Sequence, residues 1–215
     1  MSPAKSFSQA QRFLLGLLVV LAALLLLAGG WSIPFYFESF SILYKFGKVK
    51  IYLRYGKVIG ITVVLLIFYQ LMIASHFKIL ERIFSYKSLF QLHRLNGMII
   101  ACLVTAHPVL IKASENFTPY TFEQKYYPEF VGMGLLVVLL SLSALAVFRN
   151  FLKIKRTWWL FLHRLGATLI TVILPGHILF VSDTFKSGLP RVAAVTLIVF
   201  NCLLILRIWL RKLIT

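Results

Sequence analysis

The chain has 215 residues, of which 60% are hydrophobic and 13% charged, and its mean hydropathy is +0.89. Soluble globular domains are about 45–50% apolar and about 25% charged, so this composition excludes a soluble catalytic domain. The net charge of +17 would suggest nucleic acid in a soluble chain, but basic residues of membrane proteins collect at loops and helix ends, and no nucleic-acid partner is expected. Cys102 and Cys202 fall inside apolar runs and read as packing residues; there is no disulfide framework and no CxxCH signature for covalent haem.

Charged residues cluster and leave six charge-free stretches, each near the ~20 residues that cross a hydrocarbon core. The predicted fold is an all-α membrane protein, a six-helix bundle occupying residues 1–215 as a single domain. Span one covers about 13–30 and is too long for the h-region of a signal peptide. Residues 31–57, aromatic and interleaved with Lys, read as a connection lying at the membrane interface. Span two is about 58–76, and a short basic loop leads to span three at about 88–111. Residues 112–129 form an external loop, with span four at about 130–148. A basic turn, RNFLKIKRT, precedes span five at about 157–182, and span six runs from about 191 to 210. With both termini cytoplasmic, fourteen Lys and Arg fall inside and nine outside, which favours that orientation in a cell inner or plasma membrane.

Four of the five histidines form two pairs of equal spacing, His93 with His107 and His163 with His177, 14 residues apart in each. On an α-helix 14 residues turn about 1,400°, four turns less ~40°, and rise ~21 Å. Each pair therefore shares one face, with one imidazole toward the cytoplasmic side and one toward the outer side. Spans three and five run in the same direction, so His93 is level with His163 and His107 with His177. Two cross-helix imidazole pairs at two depths are the arrangement of two b-type haems stacked between helices 3 and 5. The competing reading is histidine as structural glue between helices, but ionisable side chains inside spans are rare and usually functional. A di-metal site is disfavoured because the spans lack carboxylates.

Several neighbours carry weaker signals. Arg94 and Arg164 follow the two inner histidines and suit haem propionates, or snorkel to lipid. Gly97 and Gly166 permit either a flat ring or close helix packing. Trp158 and Trp159 lie either between a donor and the inner haem or in an aromatic belt, and Pro175 either re-aims His177 or is a plain kink. His76 reads as an interfacial histidine apart from the haems.

At these residues the chain resembles the ferric reductase-like transmembrane domain superfamily, which includes NADPH oxidases, ferric reductases and bacterial haem-binding membrane subunits. The segments HRLNG…AHP and HRLG…PGH carry the resemblance, and SILYKFGKVKIYLRYGKVIG looks like the first outer loop of bacterial members. The resemblance implies two non-covalent haem b groups, held by His93 with His163 and by His107 with His177. It also implies electrons passing singly from a cytoplasmic flavin to an outer acceptor, oxygen or ferric iron. Many members carry a dehydrogenase domain binding FAD and NAD(P)H, but no GxGxxG occurs in these residues. The chain reads as the membrane haem component of an oxidoreductase, incomplete without a dehydrogenase domain or subunit docked on basic faces around Arg82–Lys87, Arg149–Arg156 and Arg207–Lys212. Membrane lipid competes for the same charges. Two other functions remain: a quinol-fed di-haem cytochrome b subunit, and a haem-free membrane assembly subunit.

Overall fold

The computed structural model describes residues 7–38 and 46–214, the last three as backbone only. Lys5 and Lys45, both counted in the charge balance, lie outside the described residues, as does the side chain of Lys212. Six helices are long and apolar enough to cross a membrane: α1 (Gln9–Tyr36), α2 (Gly47–Ala74), α4 (Tyr86–Ser114), α5 (Tyr127–Phe148), α6 (Arg156–Val181) and α7 (Gly188–Ile214), with a short α3 (Lys78–Ile83) between α2 and α4. The chain is a multi-pass membrane protein.

Local chemistry starts and stops these helices. Ser8 and Gln11 cap α1 reciprocally, Gln11 N donating to Ser8 Oγ and Ser8 N to Gln11 Oε1. Ser85 Oγ accepts from Ser88 N at the head of α4. At the end of α2, Ser75 is fully buried and His76 adopts a left-handed φ of 53°, the usual way a helix turns off. The Ser75 carbonyl accepts from Arg207 Nε (3.3 Å) and Arg211 Nη1 (3.2 Å) of α7. Part of the expected basic docking face thus caps α2.

Two expectations about loops are corrected. Residues 47–57 are not a connection or loop but helix: α2 begins eleven residues before the expected 58. No proline interrupts Gly47–Ala74, and at ~1.5 Å per residue its 28 residues span ~42 Å, so the basic first turns reach beyond a ~30 Å core. Lys50 and Arg54 of α2 both pair with Glu38, which follows α1, Lys50 at 3.1 Å. The basic loop 77–87, expected to be irregular, contains α3. A third expectation also changes, for Cys102 and Cys202 are free thiols on the outer surface and not packing residues.

The Lys50 ammonium, with Arg54 behind it, holds the Glu38 carboxyl below the ordinary carboxylate range. What this clamp contributes is present above the ordinary carboxylate pKa and is lost as pH falls through the depressed value. Glu38→Gln is therefore expected to flatten the acid limb of a thermal-melt profile in detergent.

The helices form two close pairs, α2 with α4 and α5 with α6, while α7 lies against α6 and α2, and α1 leans on α2 and α3. Buried Val63, Ile67, Leu71, Ile100, Ile170 and Leu204 form the shared core. The backbones of α4 and α6 scarcely meet. Elsewhere apolar side chains face outward, as α1 shows at Phe13, Leu17 and Leu25, because lipid rather than water surrounds the bundle. Gly166 sits under Leu142 of α5: a Cβ there would lie 2.5 Å from Leu142 Cδ1 and 2.9 Å from its Cγ. Of its two readings, close helix packing is the one the structure takes. Gly166→Ala is expected to lower the detergent melting temperature through about 1–3 kcal/mol of overpacking.

Candidate functional site

Across the gap between α4 and α6 the four histidines meet as two pairs. The rings of His93 and His163 have centroids 6.2 Å apart, and those of His107 and His177 6.4 Å. N-terminal histidine meets N-terminal histidine and C-terminal meets C-terminal, so α4 and α6 run parallel. We call His93/His163, at the end bearing α3, the near pair, and His107/His177 the far pair.

The far pair is held by its hydrogen bonds. His107 Nδ1 lies 2.9 Å from the Gly56 carbonyl oxygen, and His177 Nδ1 lies 2.8 Å from that of Pro128. A carbonyl only accepts, so each Nδ1 carries a proton, and in the neutral imidazole Nε2 then keeps its lone pair. Each ring also rests on a glycine. A Cβ on Gly60 would come within 2.8 Å of His107 Cε1, and one on Gly132 within 2.5 Å of His177 Cε1.

The near pair is held differently. Trp159 stacks on His163 at 5.5 Å with 21° between planes, and the Arg149 guanidinium lies 5.1 Å from the Trp159 ring centre. Among the described residues, His163 Nδ1, Trp159 Nε1 and Arg149 Nε are all buried without a hydrogen-bond partner. On the other side, the His93 carbonyl accepts from Gln70 Nε2 (2.9 Å), and Gln70 Oε1 accepts from Asn96 Nδ2 (2.7 Å). Asn96 Nδ2 also donates to the Leu66 carbonyl, and this buried amide ties α4 to α2.

A cavity of about 680 Å³ opens beside the near pair, between α2, α4, α6 and α7, within the range of about 300–1,000 Å³ usual for ligand pockets. Arg149, Arg156, Arg164 and Trp159 line it with His93 and His163. Of the two arginines singled out from the sequence, Arg164 reaches this cavity, whereas Arg94 is exposed and does not line it. His76 joins the lining, its Nδ1 2.8 Å from Glu81 Oε1, closer to the near pair than its sequence position suggests. The two tryptophans divide: Trp159 stacks on a histidine, while Trp158 is exposed. Gly97 approaches Gln70, not the open gap. Pro175 stays within a continuous α6.

Gly56, Gly60, Pro128 and Gly132 escaped the reading of the sequence. Gly56-Lys57-Val58-Ile59-Gly60 is a GxxxG, the one signal that marks a close helix approach there.

Residues 59–174, more than half of the chain, match the family described as ferric reductase like transmembrane component. The chain belongs to this family. The match encloses His93, His107 and His163, and His177 lies three residues beyond it. No curated protein and no solved structure matches the chain. As a ferric reductase-like transmembrane component it is the membrane part of an oxidoreductase, and its task is transmembrane electron transfer.

Proposed function

We propose that this ferric reductase-like component carries electrons across the membrane through two b-type haems. His93 and His163 would hold one, and His107 and His177 the other. The observation that carries the reading is the separation of the rings. A metal–imidazole bond is about 2.0 Å and a ring nitrogen lies about 1.1 Å from its centroid, so centroids about 6 Å apart leave room for one metal between two imidazoles. Both pairs have that spacing, at 6.2 and 6.4 Å.

Other features of the chain fit the same group. The far histidines already present Nε2 as a lone-pair nitrogen, the state a ligand needs. The near cavity offers a mostly apolar space with arginines in its lining, suited to the carboxylates of a porphyrin. Among the described residues no cluster of three or more His, Cys, Asp or Glu competes for a metal. A haem ligated by two imidazoles supplies a one-electron ferric/ferrous couple.

The chain's own residues do the rest. α4 and α6 set the two ligand levels, ~21 Å apart along each helix, and apolar neighbours such as Ile100 and Ile170 keep water out between them. The near pair would face the cytoplasm, where a flavin dehydrogenase domain or subunit using FAD and NAD(P)H would dock on the basic α3 end. The far pair would serve an outer acceptor, dioxygen or ferric iron, with both termini cytoplasmic in the inner or plasma membrane. The test is a reduced-minus-oxidised spectrum with haem quantification on protein purified in detergent. Reduced b-type bands and two haems per chain are expected; none, or one, would sink the proposal.

A further inference from the structure

The far pair sits in a duplicated device. On the helix preceding each histidine helix, a backbone carbonyl accepts the Nδ1 proton, and the residue four places later is a glycine lying under the same ring: Gly56 and Gly60 for His107, Pro128 and Gly132 for His177. The coupling has a geometric cause. Every Cα–Cβ bond of a helix tilts toward its N-terminus, so a side chain at the fourth position hangs over the carbonyl four residues earlier. Glycine removes that cover and lets the imidazole reach the oxygen. In the near pair, His163 Nδ1 has no acceptor among the described residues, and its ring stacks on an indole instead.

We infer that Gly60 and Gly132, with the carbonyls of Gly56 and Pro128, are positioning residues that make the far site electronically unequal to the near one, its ferric/ferrous couple lying at the lower potential. The inference rests on the haem reading above. Donating Nδ1–H to a carbonyl raises the basicity of the ligating nitrogen, and hydrogen bonding around the axial ligands is one of the levers a protein has on haem potential. Stronger donation stabilises the ferric form. Both far ligands have this bond, and His163 lacks it. Electrons would therefore leave the chain from its more reducing site, which suits an acceptor reduced in single low-potential steps.

Anaerobic potentiometric titration of the purified protein, followed by its reduced bands and by the low-spin ferric resonance signals, tests this. Wild type should resolve two components, and His107→Leu should delete the lower. Gly60→Ala and Gly132→Ala should each raise or erase that same component and leave the higher one in place. Gly134→Ala, whose Cβ would meet nothing within 4 Å, should match wild type. Deletion of the higher component by His107→Leu, or equal shifts of both components in the glycine variants, overturns the inference while the haem reading stands. If the glycine variants fail to insert, the histidine variant alone decides. If His107→Leu loses both haems, His163→Leu decides, because the component it retains must be the lower. A wild-type protein without haem overturns the functional reading as well, and the first spectrum reveals it.

Discussion

His177→Leu is expected to give a protein that inserts and melts nearly as wild type, retains about half the haem and carries no electrons across a membrane. The fold should survive because leucine fills similar space in an apolar setting and leaves neither a large cavity nor an overpacked core. The Pro128 carbonyl, relieved of its histidine, still faces Gly132 N within α5. The ligand set does not survive. His107 would face a hydrocarbon side chain across a gap now bridged by rings 6.4 Å apart, and one imidazole cannot grip a porphyrin as two do. With the far level empty, an electron at the near level has no relay over the remaining ~21 Å. Proteoliposomes with dithionite outside and ferricyanide trapped inside provide the measurement. Wild type should bleach the trapped oxidant, and the variant should match protein-free vesicles. Undiminished transfer would show that the far histidines bind no electron carrier.

Asn96→Leu should strike the other level. The Asn96 amide is 6% exposed and donates both to Leu66 O and to Gln70 Oε1, while Gln70 Nε2 holds the carbonyl of His93. Removing it leaves the amide oxygen of half-buried Gln70 without its donor, at a cost of at most about 1–3 kcal/mol, and frees the side chain that ties His93 to α2. Loss of a partner bonded to a ligand ring weakens a metal site by about 10–100-fold, and Gln70 holds the His93 backbone and not its ring, so a smaller loss is expected. Near-site haem should therefore pass to a haem-scavenging globin that leaves wild type loaded, while far-site haem stays. Equal loss from both levels would mean that the network supports the bundle and not His93 in particular.

Six spans and two tiers of histidine were readable before any coordinates, because both signals are local. Hydropathy summed over some twenty residues reports the preference of that segment for lipid whatever its neighbours do, and a 14-residue step returns a side chain to one helix face wherever the helix lies. The same local reading failed at Lys48–Lys57. There a basic, aromatic composition argued for an interfacial connection, yet the backbone continues as α2, since long cationic side chains reach the interface from a helix that overshoots the core. His76 is exposed at the end of α2, and its left-handed turn after Ser75 also sets it in the lining of the cavity beside the near pair.

What surrounds the four imidazoles was settled by packing between segments remote in the chain. Gly56 is 51 residues from His107 and Pro128 is 49 from His177, and no window of sequence says that those carbonyls face those rings. Trp158 and Trp159 are adjacent and chemically alike, yet one faces outward and the other stacks on His163. A helix side chain's surroundings depend on the rotation of every helix around it, whereas its height and face depend on its own helix alone. For that reason the two tiers of histidine are written in the chain, and the polar groups around each tier emerge only when α2 meets α4 and α5 meets α6.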